Sequence, residues 1–460
     1  MINQHTKWTA RILWQAAVTG CVAACVAAVP ATATAASMSK GKNRAAVTVT
    51  VWNDLNQPPP GPSASKYWFN AAVKLFNQQN PGIHVKIVQA PNAATTAFET
   101  LLRTSEVAGN TPDIAGLFAG GQILQNDSYL LNLNKYLTPQ FKKSLFIGWQ
   151  WATAGFHTSG PVYGVPYGAG NWYFVYYNKA LMKKADVTIT TTSYPRTWPQ
   201  LVALARKVKA AGITPFFFGE KEGYFGAWTQ DALISGLVGT EGVLQMYRGQ
   251  LSLDSTPMIR AYEAWHELYA DGLTNSDAPE LSANNAPADF AAGKGAMTIT
   301  GPFNDAPMAS MGSNLAIFPV PTLPGSKYPN VLSGGPNNDW VIFKNAKNVP
   351  QAVKFVKFLV SPKVQEMAIG QLGQLPNNTS YVPSASLAKT QPLLAQAYYY
   401  IRVRHYVLAE AWDNVLPGSI DSYWYQTNNG VFSGSLGPKQ AAASLETQMK
   451  NYLATQKAGG

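Results

Sequence analysis

After residue 36 this 460-residue chain contains no cysteine; Cys21 and Cys25 both lie near the amino terminus. A cysteine-free body can hold neither a disulfide framework nor a Cys–His zinc site. Histidine is scarce as well, with five residues scattered singly at positions 5, 84, 157, 266 and 405, so no metal-ligand cluster is expected. His266 falls in a helical pattern and reads as a packed or surface residue. No apolar run after residue 36 approaches the ~18–20 residues of a membrane-spanning helix. No Gly-x-Ser-x-Gly elbow, His-Glu-x-x-His motif or phosphate-binding glycine loop occurs, and there is no internal repeat. Charged residues are only 13%, whereas aromatics reach 12% and the apolar set 46%, a balance that excludes a disordered chain.

The amino terminus differs from the rest. Lys7 and Arg11 precede an apolar, small-residue stretch over 12–29, Pro30 breaks it, and alanines and threonines follow to residue 36. These are the charged, apolar and small-residue parts of an export signal. Residues 18–21 (VTGC) and 22–25 (VAAC) each resemble a bacterial lipobox, in which Cys21 or Cys25 would take a lipid. Cleavage near the later Ala-Thr-Ala stretch is the alternative. Either places the body outside the cytoplasm, at the cell surface, in a periplasm or secreted. Five basic residues and no acid precede Asp54, which leaves +6 of the formal +11 for residues 45–460. A basic tether is drawn to an anionic envelope. No basic run in the body argues for nucleic acid.

Residues 46–52, 83–88 and 113–118 read as β-strands, and 65–79 and 93–108 as helices with one apolar face. Strand–helix–strand–helix–strand at this spacing implies a parallel sheet with helices packed on it. Further on, helices are expected over 195–211, 258–269, 350–360, 364–372 and 441–453, and strands over 213–218 and 341–343.

Several segments together resemble one family. They are residues 76–83 (FNQQNPGI), 111–114 (TPDI), 163–166 (YGVP) running to 177–179 (YNK), 195–198 (PRTW), 290–303 (FAAGKGAMTITGPF) and 332–335 (LSGG). In this order the set is similar to the extracellular solute-binding proteins of bacterial ATP-binding-cassette sugar importers, of the maltose-binding type. The resemblance implies an α/β, two-lobed periplasmic-binding-protein fold of type II, with three hinge crossings and the ligand cleft between lobes. The crossings fall at 163–166, 330–335 and 381–384. The lobes then comprise 45–162 plus 336–380 and 167–330 plus 385–460, behind a leader over 1–36 and a linker over 37–44. The implied protein is a monomer without cofactor that binds an oligosaccharide and passes it to permease subunits.

Sugar recognition needs ring faces for C–H surfaces and planar amides or carboxyls for hydroxyls. Asn53 and Asp54, after Trp52 at the end of the first strand, match polar ligand-contacting positions of the family; an Asx turn is the other reading. Asn171 and Trp172 follow the first crossing near the family's acidic sugar ligand, here without its carboxylate. Phe303 corresponds to a stacking tryptophan and is smaller. Tyr423, Trp424 and Tyr425 resemble an aromatic triplet whose middle tryptophan stacks on sugar. Three successive rings on a helix cannot all enter one core, so at least one faces a cleft or solvent, and Trp424 is the expected one. Glu220, Tyr224 and Trp228, and Asn337, Asp339 and Trp340, are further candidates, each readable also as turn or packing material.

Two other functions compete. A secreted glycoside hydrolase would need two carboxylates about 5–10 Å apart, for which only Glu220 with Asp54 or Asp339 could be nominated. A solute-binding protein for a non-sugar or acidic-sugar ligand keeps the fold and changes the cargo. The absence of any catalytic motif favours the non-catalytic carrier.

Overall fold

Alternating valine and threonine makes β1 (Val47–Asn53) a strand with two buried faces: Val49 and Val51 enter one core, Trp52 the other. The computed structural model describes residues 46–53, 67–91, 96–154, 157, 159–168, 172–335, 338–372 and 375–459. Residues 1–45, with Cys21 and Cys25, lie outside the described residues, as do Asp54, Asn171 and Asn337. After β1 come α1 (Trp68–Gln79), β2 (Ile83–Gln89), α2 (Thr96–Ala108), β3 (Ile114–Phe118), the short α3 (Gly121–Asn126) and β4 (Gly164–Pro166). β2 and β3 both pair parallel with β1, as the βαβ pattern predicts.

The remaining labelled elements are β5 (Phe174–Asn178), α4 (Trp198–Ala210), α5 (Tyr224–Tyr247), α6 (Thr256–Ala270), β6 (Met297–Thr300), β7 (Leu315–Pro319), β8 (Val331–Gly334), β9 (Asn338–Ile342), α7 (Val349–Leu359), α8 (Pro362–Leu372), β10 (Val407–Glu410), α9 (Trp412–Val415), α10 (Gly418–Ser433) and α11 (Pro438–Gly459). Three sheets result, ordered β2-β1-β3-β9-β4, β6-β5-β7 and β10-β8. The first sheet is not wholly parallel. The chain returns to it as β9, antiparallel to both β3 and β4. α1 and α7 cover one of its faces through Trp68, Phe69, Phe76 and Phe355, and α2 covers the other with Phe98 and Leu102. The second core gathers around β5, α4, α5, α6 and α10.

Two departures from the sequence reading have physical causes. Residues 213–218 form no strand; Phe216 makes isolated bridges to Thr274 and Met297, in a segment that Pro215 deprives of one N–H. α5, which no periodicity predicted, is apolar on nearly all sides because neighbours surround it. Among the described residues no helix is long and apolar enough to cross a membrane.

Candidate ligand-binding site

The start of α5 is pressed against α10 without an intervening side chain. Gly223 has φ 82° there, and a Cβ at that position would collide with the Tyr425 carbonyl. Amides hold the crossing: Asn428 Nδ2 donates to the Gly223 carbonyl at 3.1 Å and Gln230 Nε2 to Asn428 Oδ1 at 2.7 Å. The close approach aligns a row of rings. Phe303 lies 4.8 Å from Trp228, Trp228 is 6.2 Å from Tyr224, and Tyr224 is 4.9 Å from Tyr425. Tyr173, just before β5, adds a ring 6.2 Å from Trp228 and 6.4 Å from Phe303. Phe303 and Tyr224 are 41% and 36% exposed, and Trp228 and Tyr425 are half-buried, so the row presents ring surface rather than filling a core.

Carboxyls adjoin the rings. Asp231, in α5, accepts the Trp412 N–H at 2.8 Å through Oδ1 and lies within electrostatic reach of Asp413. The Tyr173 hydroxyl donates to Asp413 at 3.3 Å. Glu410 accepts from Asn414 Nδ2 at 3.2 Å, and Asp421 lies one helical turn before Tyr425 with its Oδ1 unpartnered. Burial raises Asp231, Glu410, Asp413 and Asp421 above the usual carboxylate range, and Asp413's charge raises Asp231 further. Asp231 Oδ2, Glu410 Oε2 and Trp412 Nε1 are buried without a hydrogen-bond partner.

The cluster lies where the two parts of the chain meet. Gly121, at the start of α3, abuts the carbonyls of Asn414, Val415 and Leu416, which a Cβ would approach to 2.9–3.2 Å. Ala119 and Trp151, from the segments around the first sheet, pack into the second core. A cavity of about 540 Å³ opens beside this contact, between Glu99, Arg103 and Glu106 on one side and Pro417, Gly418 and Tyr452 on the other.

The structure assembles Phe303, Tyr224, Trp228 and Tyr425 from the sequence candidates and separates others from them. Trp424, expected to face a cleft, is 0% exposed, packed edge-on against Trp412 at 4.7 Å with its indole nitrogen toward the Tyr262 hydroxyl. Successive helical residues point about 100° apart, so the ring that reaches the row is Tyr425. Tyr423 is half-buried against the second core. Glu220 is also corrected: fully buried, it accepts the Gly226 N–H at 3.0 Å and so caps the first turn of α5. Trp340 belongs to the first core, stacked on Phe69 at 5.5 Å and 10°, and Trp172 is buried in the second. Asp339 is fully buried in β9 with neither oxygen partnered, close to Glu410. Asn53 ends β1, its backbone opposite Gln89. Sequence reasoning missed Tyr173, Asp231, Glu410, Asp413 and Asp421. An isolated acid inside the apolar stretch of α5, and the acids flanking Trp412, were the available signals.

The family model described as bacterial extracellular solute-binding protein matches residues 60–366. A multiple sugar-binding protein of Streptococcus mutans is 25% identical over 370 residues, covering 78% of this chain and 81% of the relative. A maltooligosaccharide ABC transporter solute-binding lipoprotein of Streptococcus pneumoniae is 26% identical over 311 residues, covering 64% and 66%. Among solved structures, a chitin oligosaccharide binding protein superposes with a TM-score of 0.74 at 21% identity, covering 89% of this chain and 99% of that one. The sugar-binding protein MalE of Xanthomonas citri gives 0.69 at 20% identity, covering 89% and 98%. These likenesses show the two-lobed α/β fold of type II binding proteins. With two thirds of its length matched by the family model, the chain belongs to the bacterial extracellular solute-binding proteins.

Proposed function

We propose that this protein is a non-catalytic receptor that binds an oligosaccharide outside the cytoplasm and delivers it to the permease of an ATP-binding-cassette importer. The observation that carries the reading is the partly exposed row Phe303, Trp228, Tyr224 and Tyr425 beside carboxyls with unpartnered oxygens. Ring faces suit the C–H surface of a sugar, and the carboxyls suit its hydroxyls. The names of the relatives support a carbohydrate ligand. We place the hinge at 163–166, 330–335 and 381–384. In support, β4 ends the first sheet shortly before β5 opens the second, and β8 leads directly into β9 of the first. A lipid on Cys21 or Cys25 would keep the receptor at the membrane surface.

A hydrolase fits the geometry less well. Asp231 already accepts the Trp412 N–H and Asp413 the Tyr173 hydroxyl, so neither is a free carboxyl aimed at a scissile bond. Glu220, the other nominee, is committed to capping α5. The test is a thermal-shift screen against neutral and charged oligosaccharides, followed by product analysis of every hit. A ligand at 100 times its Kd should stabilise the protein by ~2.7 kcal/mol and be recovered intact. Cleaved product, or silence across the panel, would overturn the reading.

A further inference from the structure

The site has an unusual balance of charge. Asp413 acts on Asp231, Glu410 and Asp421, and Asp339 acts on Glu410, yet among the described residues no Lys, Arg or His pairs with any of them. The chain has 35 basic residues against 24 acidic ones, so cations are plentiful and placed elsewhere. The ion pairs of the described residues fall to Arg206, Lys207, Arg248, Lys294 and Lys450, and none has a member of this cluster as its partner.

Independently of the acids' number, Asp231 Oδ2, Glu410 Oε2, Asp421 Oδ1 and both Asp339 oxygens lack any partner, and Asp231 and Glu410 are each only 1% exposed. An unsatisfied buried carboxyl oxygen is costly and points to a donor that arrives from outside. A neutral sugar hydroxyl supplies a donor but no compensating charge. A protonated amine supplies up to three donors and the missing charge. The adjoining ring faces of Tyr173, Trp228 and Tyr425 add the quadrupolar surface that attracts cations.

We propose that the ligand is a saccharide carrying a protonated amine, seated against the carboxyls of Asp231, Glu410, Asp413 and Asp421. This rests on the carbohydrate reading above and narrows its substrate class. The facing titratable groups are Asp231 from α5, Asp339 from β9, Glu410 from β10, Asp413 from α9, Asp421 and Tyr425 from α10, and Tyr173 ahead of β5. None is cationic. Affinity for the amine form should therefore rise from pH 5 to pH 7, as Asp413, raised by burial to about 6, ionises, and fall with added salt.

The experiment is calorimetric titration of the full mature chain with a glucosamine tetramer and with its N-acetylated counterpart, equal in length and linkage and different in charge. The amine form should bind about tenfold tighter at pH 7, as expected of a close charge pair. Asp413→Asn should bring the ratio of the two affinities close to one. Should that variant fail to fold, the pH and salt dependence of the wild-type ratio reads the same quantity. Equal or tighter binding of the acetylated tetramer would overturn the amine and leave the carbohydrate receptor standing. No binding of either would overturn the amine also, while the receptor reading falls only if the whole oligosaccharide panel is silent.

Discussion

Trp424 and Trp228 sit on helices that pack together, α10 and α5, and they do opposite things. Trp424 is enclosed by Trp412, Tyr425 and Tyr262; Trp228 is half-buried among the partly exposed Phe303 and Tyr224. Both are large rings with one N–H. What separates them is whether the remaining ring surface already has a protein partner. A ring whose faces are covered stabilises the empty protein, and a ring with an open face keeps that free energy for a ligand.

The largest expected effect breaks the comparison on its buried side. Trp424→Ala leaves a cavity the neighbouring rings cannot fill and should cost about 3–5 kcal/mol of stability, measured by denaturant unfolding. A loss below about 1 kcal/mol would mean that Trp424 is not core. On the open side, Trp228→Ala should weaken saccharide binding about tenfold to a hundredfold while the empty protein loses much less stability than with Trp424→Ala.

A smaller effect is electrostatic. Burial pushes Glu106 and Asp305 each up to about 7, above the ~4 of an unfolded carboxyl. Their folded forms hold protons more tightly, so the stability they contribute is complete below about pH 4 and is lost as pH rises through about 7. The empty protein should melt a few degrees higher at pH 5 than at pH 8, and the double variant Glu106→Gln, Asp305→Asn should flatten that slope. A melting point that climbs with pH over this range would contradict the assignment. Smallest of all, Phe303→Trp enlarges an exposed ring in the row and should tighten binding a few-fold, sharpening the role of the open face.

The first sheet was legible in the sequence because its strands alternate or run apolar and its helices carry one apolar stripe. β1, α1, β2, α2 and β3 all appear within a few residues of their expected places. α5 was not, since a helix enclosed on all sides has no polar face to set a 3.6-residue period. The rings at the site were partly legible. Counting three successive aromatics showed that one must leave the core, but the choice between Trp424 and Tyr425 depends on how α10 is rotated against Trp412, a long-range fact. The carboxyls were the least legible: Asp231 and Asp413 come from segments 182 positions apart in sequence and meet only because α9 lies across α5.

The central claim is that the open-faced rings grip an intact saccharide. It is tested most directly by titrating the wild-type chain and Trp228→Ala, side by side, with the saccharide that stabilises the protein most. The account predicts one site per chain, saturable binding of unaltered sugar, and a loss of at least about tenfold in the variant, with its empty-state unfolding cooperative and close to wild type. Equal affinity in the two chains would contradict it.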